Sequence, residues 1–358
     1  MEGGTTSLRV LASPLGLANQ PYVELLNAAV RDAGVAVDAY SAAAVASGRY
    51  AVWHLHWPEL FLNEPGSAAA VAGRGLGLLA AVARARRRGV AVVWTVHNLA
   101  AHDGLHPWLE RAFWAAFTRQ VDGTIALTEG GREAALERFP ALRGRPAAVV
   151  PQGHYRGVHP CTVGRDEARR RLSVDPAARV VAFFGQVRPY KGVLELIRAF
   201  RALPDPDLVL LVAGPPRTRA LADELIAAAG GDPRVRLGLE LVPDDEVQLP
   251  LVAADLVALP YTAVQNSSTA LLALSFDRPV LVRDRGAMAE LRGAVGPSWV
   301  RLVGGELTAA ELDEALSWAG QPRHGGAPLG AFSWPEVGAR TVAAYRATLA
   351  RRRVEVPG

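Results

Sequence analysis

Short apolar runs, each closed by a turn and followed by a stretch of helical period, recur about six times in each half of the chain. That alternation leaves few folds open, because parallel strands need helical crossovers between them. Each half therefore reads as a doubly wound α/β sheet, and the whole as two such domains facing one another. The first-half strands read as Leu8–Ala12, Val35–Ala39, Ala51–Leu55, Ala91–Val96, Gly123–Leu127 and Ala147–Val150. The second-half strands read as Val180–Phe184, Leu208–Ala213, Val235–Leu239, Leu256–Leu259, Val280–Val282 and Trp299–Leu302. Among the crossovers, Asn19-Gln20-Pro21-Tyr22 opens one helix, and others cover Ala68–Arg88, Asp244–Ala253 and Ser268–Phe276. The turn-rich stretch Pro151–Tyr155 ends a first domain at residue 155, and a second domain covers residues 160–332. Ser333-Trp334-Pro335-Glu336 then opens a closing helix over residues 333–352.

Charge and cysteine content narrow the class. The net charge of +4 on 358 residues is spread evenly over both halves, which is no footprint for nucleic acid. The single Cys161 excludes an internal disulfide framework and suits a reducing cytoplasm. The amino terminus lacks a signal pattern, and no apolar run is expected to reach the ~20 residues that span a bilayer. A cytoplasmic protein is expected.

Loops at the carboxyl ends of parallel strands are where such sheets bind ligands. In the second half, Phe184–Val193 (FGQVRPYKGV) runs from a strand through Gly185 into a helix, with Arg188 and Lys191 on the turn. Of 39 basic residues, Lys191 is the one lysine. A compact ammonium there suits a phosphate or sugar oxygen better than a guanidinium fork. The strand ending at Tyr261 leads to Asn266, Ser267, Ser268 and Thr269 at a helix amino terminus, a second place for an anion. Ordinary helix capping by Ser267 or Ser268 explains part of that pattern.

The first-half loops are rich in imidazole: His54, His56, His97 and His102. For a single histidine a structural hydrogen bond is the simpler reading, but His97 ends the wholly apolar strand of Trp94-Thr95-Val96-His97-Asn98, where it could serve as general base. A zinc site is disfavoured, with His54 and His56 expected on opposite strand faces. Asp205-Pro206-Asp207 reads as a plain turn ahead of a strand. Gly73, Gly75 and Gly77 lie in a helical stretch, so they form no dinucleotide fingerprint. The run Arg86-Arg87-Arg88 complements a helix carboxyl terminus.

With these residues placed, the chain resembles GT-B-fold glycosyltransferases of the family 4 type over nearly its whole length. The resemblance rests on His54–Glu59 (HLHWPE), WTVHN, Gly185–Phe200 (GQVRPYKGVLELIRAF), Ala254–Tyr261 (ADLVALPY) and Asp277–Val282 (DRPVLV). It implies that the closing helix crosses back to the first domain, and that no metal or other cofactor is needed. It also implies that Gly185, Arg188, Lys191, Tyr261, Asn266, Ser267, Ser268 and Thr269 bind a nucleoside diphosphate sugar. A glycolipid or saccharide acceptor would meet Gly16, Asn19, His56, Trp57 and Asn98. His97 would sit at the reacting carbon, with Glu59 and Asp103 as further candidates for a base. One departure stands out: the two glutamates of the retaining pattern are replaced by Val264 and Leu272. The segments NSST, PQGHYRG and VGPSWV are more similar to bacterial β-mannosyltransferases that use GDP-mannose, which are inverting enzymes. Peripheral membrane association follows from that resemblance alone. A sugar-nucleotide epimerase on the same fold would turn over its donor without an acceptor, and a non-catalytic binding protein would never consume it.

Overall fold

The structure is a computed structural model, and it describes residues 8–16, 21–63, 66–99, 106–263 and 267–355. The chain divides into two compact units, Met1–Gly153 with Gly330–Gly358, and His154–Leu329. The change of unit after Gly153 falls inside the turn-rich stretch, two residues ahead of the expected 155, and residues 330–332 belong with the closing helix, not with the second domain.

The first unit is built on a six-stranded parallel sheet of β1 (Arg9–Ser13), β2 (Ala36–Ala39), β3 (Val52–His56), β4 (Ala91–Val96), β5 (Gly123–Ala126) and β6 (Ala147–Val149). Its order is β2-β1-β3-β4-β5-β6. The chain reverses direction across the sheet between β1 and β3, so the topological switch point lies between their carboxyl ends. Every residue of β3 and β4 is buried, as expected for strands covered on both faces. Trp53, Leu55 and Trp94 fill one face with Phe113 and Phe117, while Val52 and Val93 fill the other with Tyr22, Val342 and Tyr345.

The closing helix Trp334–Glu355 belongs to this second face. It approaches the helix Pro21–Asp32 so closely that a Cβ at Gly338 would overlap the Ala29 carbonyl. Gly153 likewise leaves room for the Trp334 ring, which a Cβ would meet at 2.5 Å.

The second unit holds β7 (Arg179–Phe184), β8 (Leu208–Ala213), β9 (Val235–Gly238), β10 (Leu256–Leu259), β11 (Val280–Arg283) and β12 (Val300–Val303). Its order, β12-β11-β10-β7-β8-β9, puts the switch point between β7 and β10. The two strands whose following loops carry Lys191 and Ser267 are thus neighbours.

Some local expectations are corrected. The helix read over Asp244–Ala253 begins at Gln248, because residues ahead of it form a turn. Helices Ala42–Ala46 and Leu60–Asn63 are too short for an apolar period to show in the sequence. Ala287–Val295 is a further helix, its buried Met288, Leu291 and Val295 recurring at helical spacing. The helix Ala68–Arg87 is long and apolar enough, by length and composition only, to cross a membrane, contrary to expectation. Alanine, valine and leucine make it apolar, yet Val71, Leu78, Val82 and Ala85 pack into the first core. Arg86 at its end pairs with Asp122 at 3.0 Å. Asp205 pairs with Arg179 and accepts from Asp207 N at 2.8 Å, which makes the Asp-Pro-Asp segment a turn.

Candidate active site

In the second unit the loop after β7 is shaped by glycine. Gly185 has φ 106° and Gly192 φ 69°, and a Cβ on Gly192 would overlap the Pro260 carbonyl. Gly192 thereby lets the loop after β7 lie against the loop after β10. It also ends the 3-10 turn Pro189–Lys191 and starts the helix Val193–Arg201. Lys191 is brought over Gly185: a Cβ there would lie 3.6 Å from Lys191 Nζ and 3.3 Å from Thr269 Oγ1.

Lys191 Nζ lies 5.4 Å from the Tyr261 ring centroid and 6.0 Å from that of Phe183. Burial first, and then the charge of Arg188, lower its pKa to about 8, so it stays cationic at neutral pH. It has no carboxylate partner among the described residues. Arg188 is half-buried, with Nε held by Gln186 Oε1 at 3.0 Å. The Tyr261 hydroxyl is buried without a completed hydrogen bond, with the Thr269 and Ser267 hydroxyls beside it, and burial pushes its pKa up.

Ser267 caps the helix Ser268–Ser275, accepting from Ala270 N at 3.1 Å, while the Ser268 side chain is exposed. The capping explanation thus holds for Ser267 and leaves Ser268 open to solvent. Leu272, at one of the two departed glutamate positions, is buried in the same helix. Asn266 and Val264 lie outside the described residues.

Sequence reading missed a buried pair behind this loop. Arg283, at the end of β11, bonds both Glu195 oxygens at 2.5 and 2.7 Å, and Glu195 also accepts from Leu307 N. The pair ties the helix after Lys191 to the two strands beyond the switch point. Its only signal in the sequence was a charged residue closing an apolar strand.

In the first unit His54, His56, Thr95 and His97 share one face of β3 and β4. The expectation that His54 and His56 point apart is wrong, because residues two apart on a strand share a face. Their ring centroids lie 4.2 Å apart. His54 is nonetheless structural: Nε2 meets Thr95 Oγ1 at 2.6 Å and Nδ1 meets the Tyr345 hydroxyl at 2.7 Å. Burial lowers its pKa to about 3. Among the described residues no group of three or more His, Cys, Asp or Glu is placed to hold a metal ion.

His56 Nδ1 meets His97 Nε2 at 2.9 Å. His97 is half-buried, stacked on Trp57 at 4.1 Å and 19°, with the Tyr22 ring edge-on at 5.4 Å. Burial, then the neighbouring imidazoles, holds both His56 and His97 far below the ordinary imidazole range. Trp57 keeps this stack in a left-handed backbone, φ 46°, although it precedes Pro58. Such strain persists only where the surroundings over-determine it.

Glu59 follows directly. It is 2 % exposed; Oε1 accepts from Asn98 Nδ2 at 2.9 Å and Oε2 has no partner. Burial raises its pKa to about 7 against the lowering effect of Asn98. The loop after β1 reaches the same edge: Asn27 Nδ2 holds Leu15 O at 2.9 Å, and a Cβ on Gly16 would crowd Glu24. Asn27 and Tyr22 were not singled out by sequence, although the helix after β1 necessarily passes the switch point. Asn19, His102 and Asp103 lie outside the described residues.

Two parallel sheets of this order, each with its loops gathered at a switch point, define a GT-B glycosyltransferase architecture. The family profile described as Glycosyl transferases group 1 matches residues 164–294. The chain is 34% identical to a GDP-mannose:glycolipid 4-beta-D-mannosyltransferase of Xanthomonas campestris pv. campestris, over 89% of this chain and 85% of that one. The chain belongs to this glycosyltransferase family and is a hexosyltransferase. Its fold is shared with Anabaena HepE, solved in complex with UDP-glucose, at TM-score 0.63 and 15% identity over 98% and 100% of the two chains. WaaG, a glycosyltransferase involved in lipopolysaccharide biosynthesis, matches at TM-score 0.60 and 16% identity over 98% and 100%.

Proposed function

We propose that this enzyme moves a mannosyl residue from GDP-mannose to a hydroxyl of a glycolipid, inverting the anomeric carbon without a metal ion. The observation that carries the reading is Lys191, a desolvated cation with no carboxylate partner among the described residues, at the second switch point. The similarity to a glycolipid β-mannosyltransferase supplies the donor and acceptor classes. A β-linked product from an α-linked sugar nucleotide requires inversion, and the replacement of the retaining glutamates by Val264 and Leu272 is consistent with it.

The acceptor oxygen attacks C1, the bond from C1 to the diphosphate oxygen breaks, and GDP leaves with the bonding pair. Lys191, Arg188 and the amino end of helix Ser268–Ser275 take up the charge that develops on the diphosphate. Gly185 allows close approach, and Tyr261, Asn266, Ser267 and Thr269 complete the donor wall. The first unit takes the acceptor with Gly16, Asn19, Trp57 and Asn98, whereas His56, buried behind His97, does not touch it. The hydroxyl proton passes to Glu59, whose pKa of about 7 suits a base at neutral pH. Asp103 is the reserve candidate. A cytoplasmic enzyme peripheral to the membrane is the matching location. The exposed Leu76, with Arg84, Arg87 and Arg88 at the end of the same helix, favours a lipid surface.

Calorimetry with GDP, UDP, GDP-mannose and UDP-glucose tests the reading on wild type and Lys191→Ala. GDP-mannose and GDP should bind and the mutant should lose both. Preference for the uridine ligands would discard the mannosyl reading, and binding of none would overturn the donor site. Loss of donor without any acceptor present would favour an epimerase.

A further inference from the structure

The His56–His97 contact has a direction, and the direction decides what His97 can do. Both rings are held neutral, so one proton lies between His56 Nδ1 and His97 Nε2, 2.9 Å apart. If His97 carried it, His56 would be protonated on Nε2. That nitrogen is buried and has no hydrogen-bond partner. An N–H in such a place would be an orphaned donor, which folded proteins tolerate less than an under-used acceptor. If His56 carries the proton on Nδ1, its buried Nε2 is a bare lone pair and His97 Nε2 is the acceptor. The remaining proton of His97 then sits on Nδ1.

The surroundings agree with a ring that does not take up a second proton. Histidine bases normally have a carboxylate behind them to stabilise the imidazolium. Here the groups behind His97 are His56, and beyond it His54, which is saturated by Thr95 and Tyr345. Trp57 covers one face of the ring and Tyr22 abuts it edge-on. No carboxylate bonds to any of these three imidazoles among the described residues.

We infer that His56 is a positioning residue that fixes His97 in the Nδ1–H tautomer, making His97 a neutral hydrogen-bond donor to substrate and not the base. This rests on the transferase reading for the word substrate, whereas the tautomer itself does not. It is also the opposite of the form a free imidazole favours.

The test begins with two-bond 15N–1H correlation spectra of the histidine rings in the full chain without ligands, with His56→Asn and His97→Asn used to assign two of the eight histidines. Both rings should show a protonated Nδ1 and a bare Nε2. A protonated Nε2 on His97 overturns the inference, whatever the enzyme's substrate. In His56→Leu the His97 signal should move toward the Nε2–H form, a change that lost packing alone would not direct. In the transfer assay His97→Asn, whose amide can stand where Nδ1–H stood, should keep kcat within about tenfold. His97→Gln should lose it, and His56→Asn should rescue what His56→Leu loses. If His97→Asn and His97→Gln are equally dead and folded, His97 is not acting through Nδ1–H.

Discussion

At the β7–β10 switch point burial acts on a cation, and at the β1–β3 switch point it acts on imidazoles and a carboxyl. Lys191 is partly stripped of water yet keeps its charge at neutral pH, beside Arg188 and a helix amino terminus. His56, His97 and Glu59 are driven toward their neutral forms by the same physical cause. The difference lies in distance from the reference values. A lysine can lose two or more units and remain protonated at pH 7, whereas a histidine or carboxyl that moves as far changes its dominant form. One sheet edge therefore suits stabilising a leaving diphosphate, and the other suits moving or presenting a single proton.

The largest test of this contrast is Glu59→Gln, which keeps the Asn98 contact and removes the proposed base. Transfer should fall by about 10²–10⁴ while donor binding is unchanged. Near wild-type turnover would shift the base elsewhere in the first unit. Next comes Lys191→Ala, expected to lower turnover by about 10²–10³ with no loss of thermal stability, since its burial is a cost to the fold. A mutant that unfolds instead would mark Lys191 as structural.

Acid should then separate the two units. The folded pKa of His54 is about 3 against an ordinary 6.5, so between those values the unfolded chain binds the extra proton. Stability therefore falls as pH drops from 6.5 toward 3, by about 2 kcal/mol for His54 at pH 5. His56 and His97 add in the same sense. Glu59 acts oppositely between about 4.5 and 7, where the folded state holds its proton longer, so Glu59→Gln should steepen the acid loss. Six of the eight tryptophans lie in the first unit, so urea unfolding followed by tryptophan fluorescence at pH 7 and pH 5 reads the effect. A flat midpoint in Glu59→Gln, where no opposing carboxyl remains at that position, would show that the imidazoles are not held neutral. The smallest effect is Ser267→Ala, which should cost about 1 kcal/mol by uncapping its helix in the second unit, seen as a lower urea midpoint by far-ultraviolet circular dichroism.

Much of the fold was legible because buried parallel strands carry unbroken apolar runs. β4 and β10 were readable to the residue, since each is an unbroken run of buried residues bounded by turns. Lys191 stood out by composition, and His97 by closing an apolar strand. The Arg283–Glu195 pair, 88 residues apart, and the Tyr345–His54 bond, 291 apart, had no local pattern to reveal them. The placement of His54 and His56 on one face, by contrast, follows from the strand period alone.

Period and turn chemistry alone suffice to say that this chain makes two doubly wound parallel sheets with a cationic loop after one strand and histidines after two others. They act over a few residues, and so are written locally. Which histidine is saturated, which shares a proton, and which carboxyl is left half-partnered in the dark depended on strands and helices drawn from distant parts of the chain. Those states are set by desolvation and by hydrogen-bond partners, and neither exists until the sheet has closed and the last helix has packed on it.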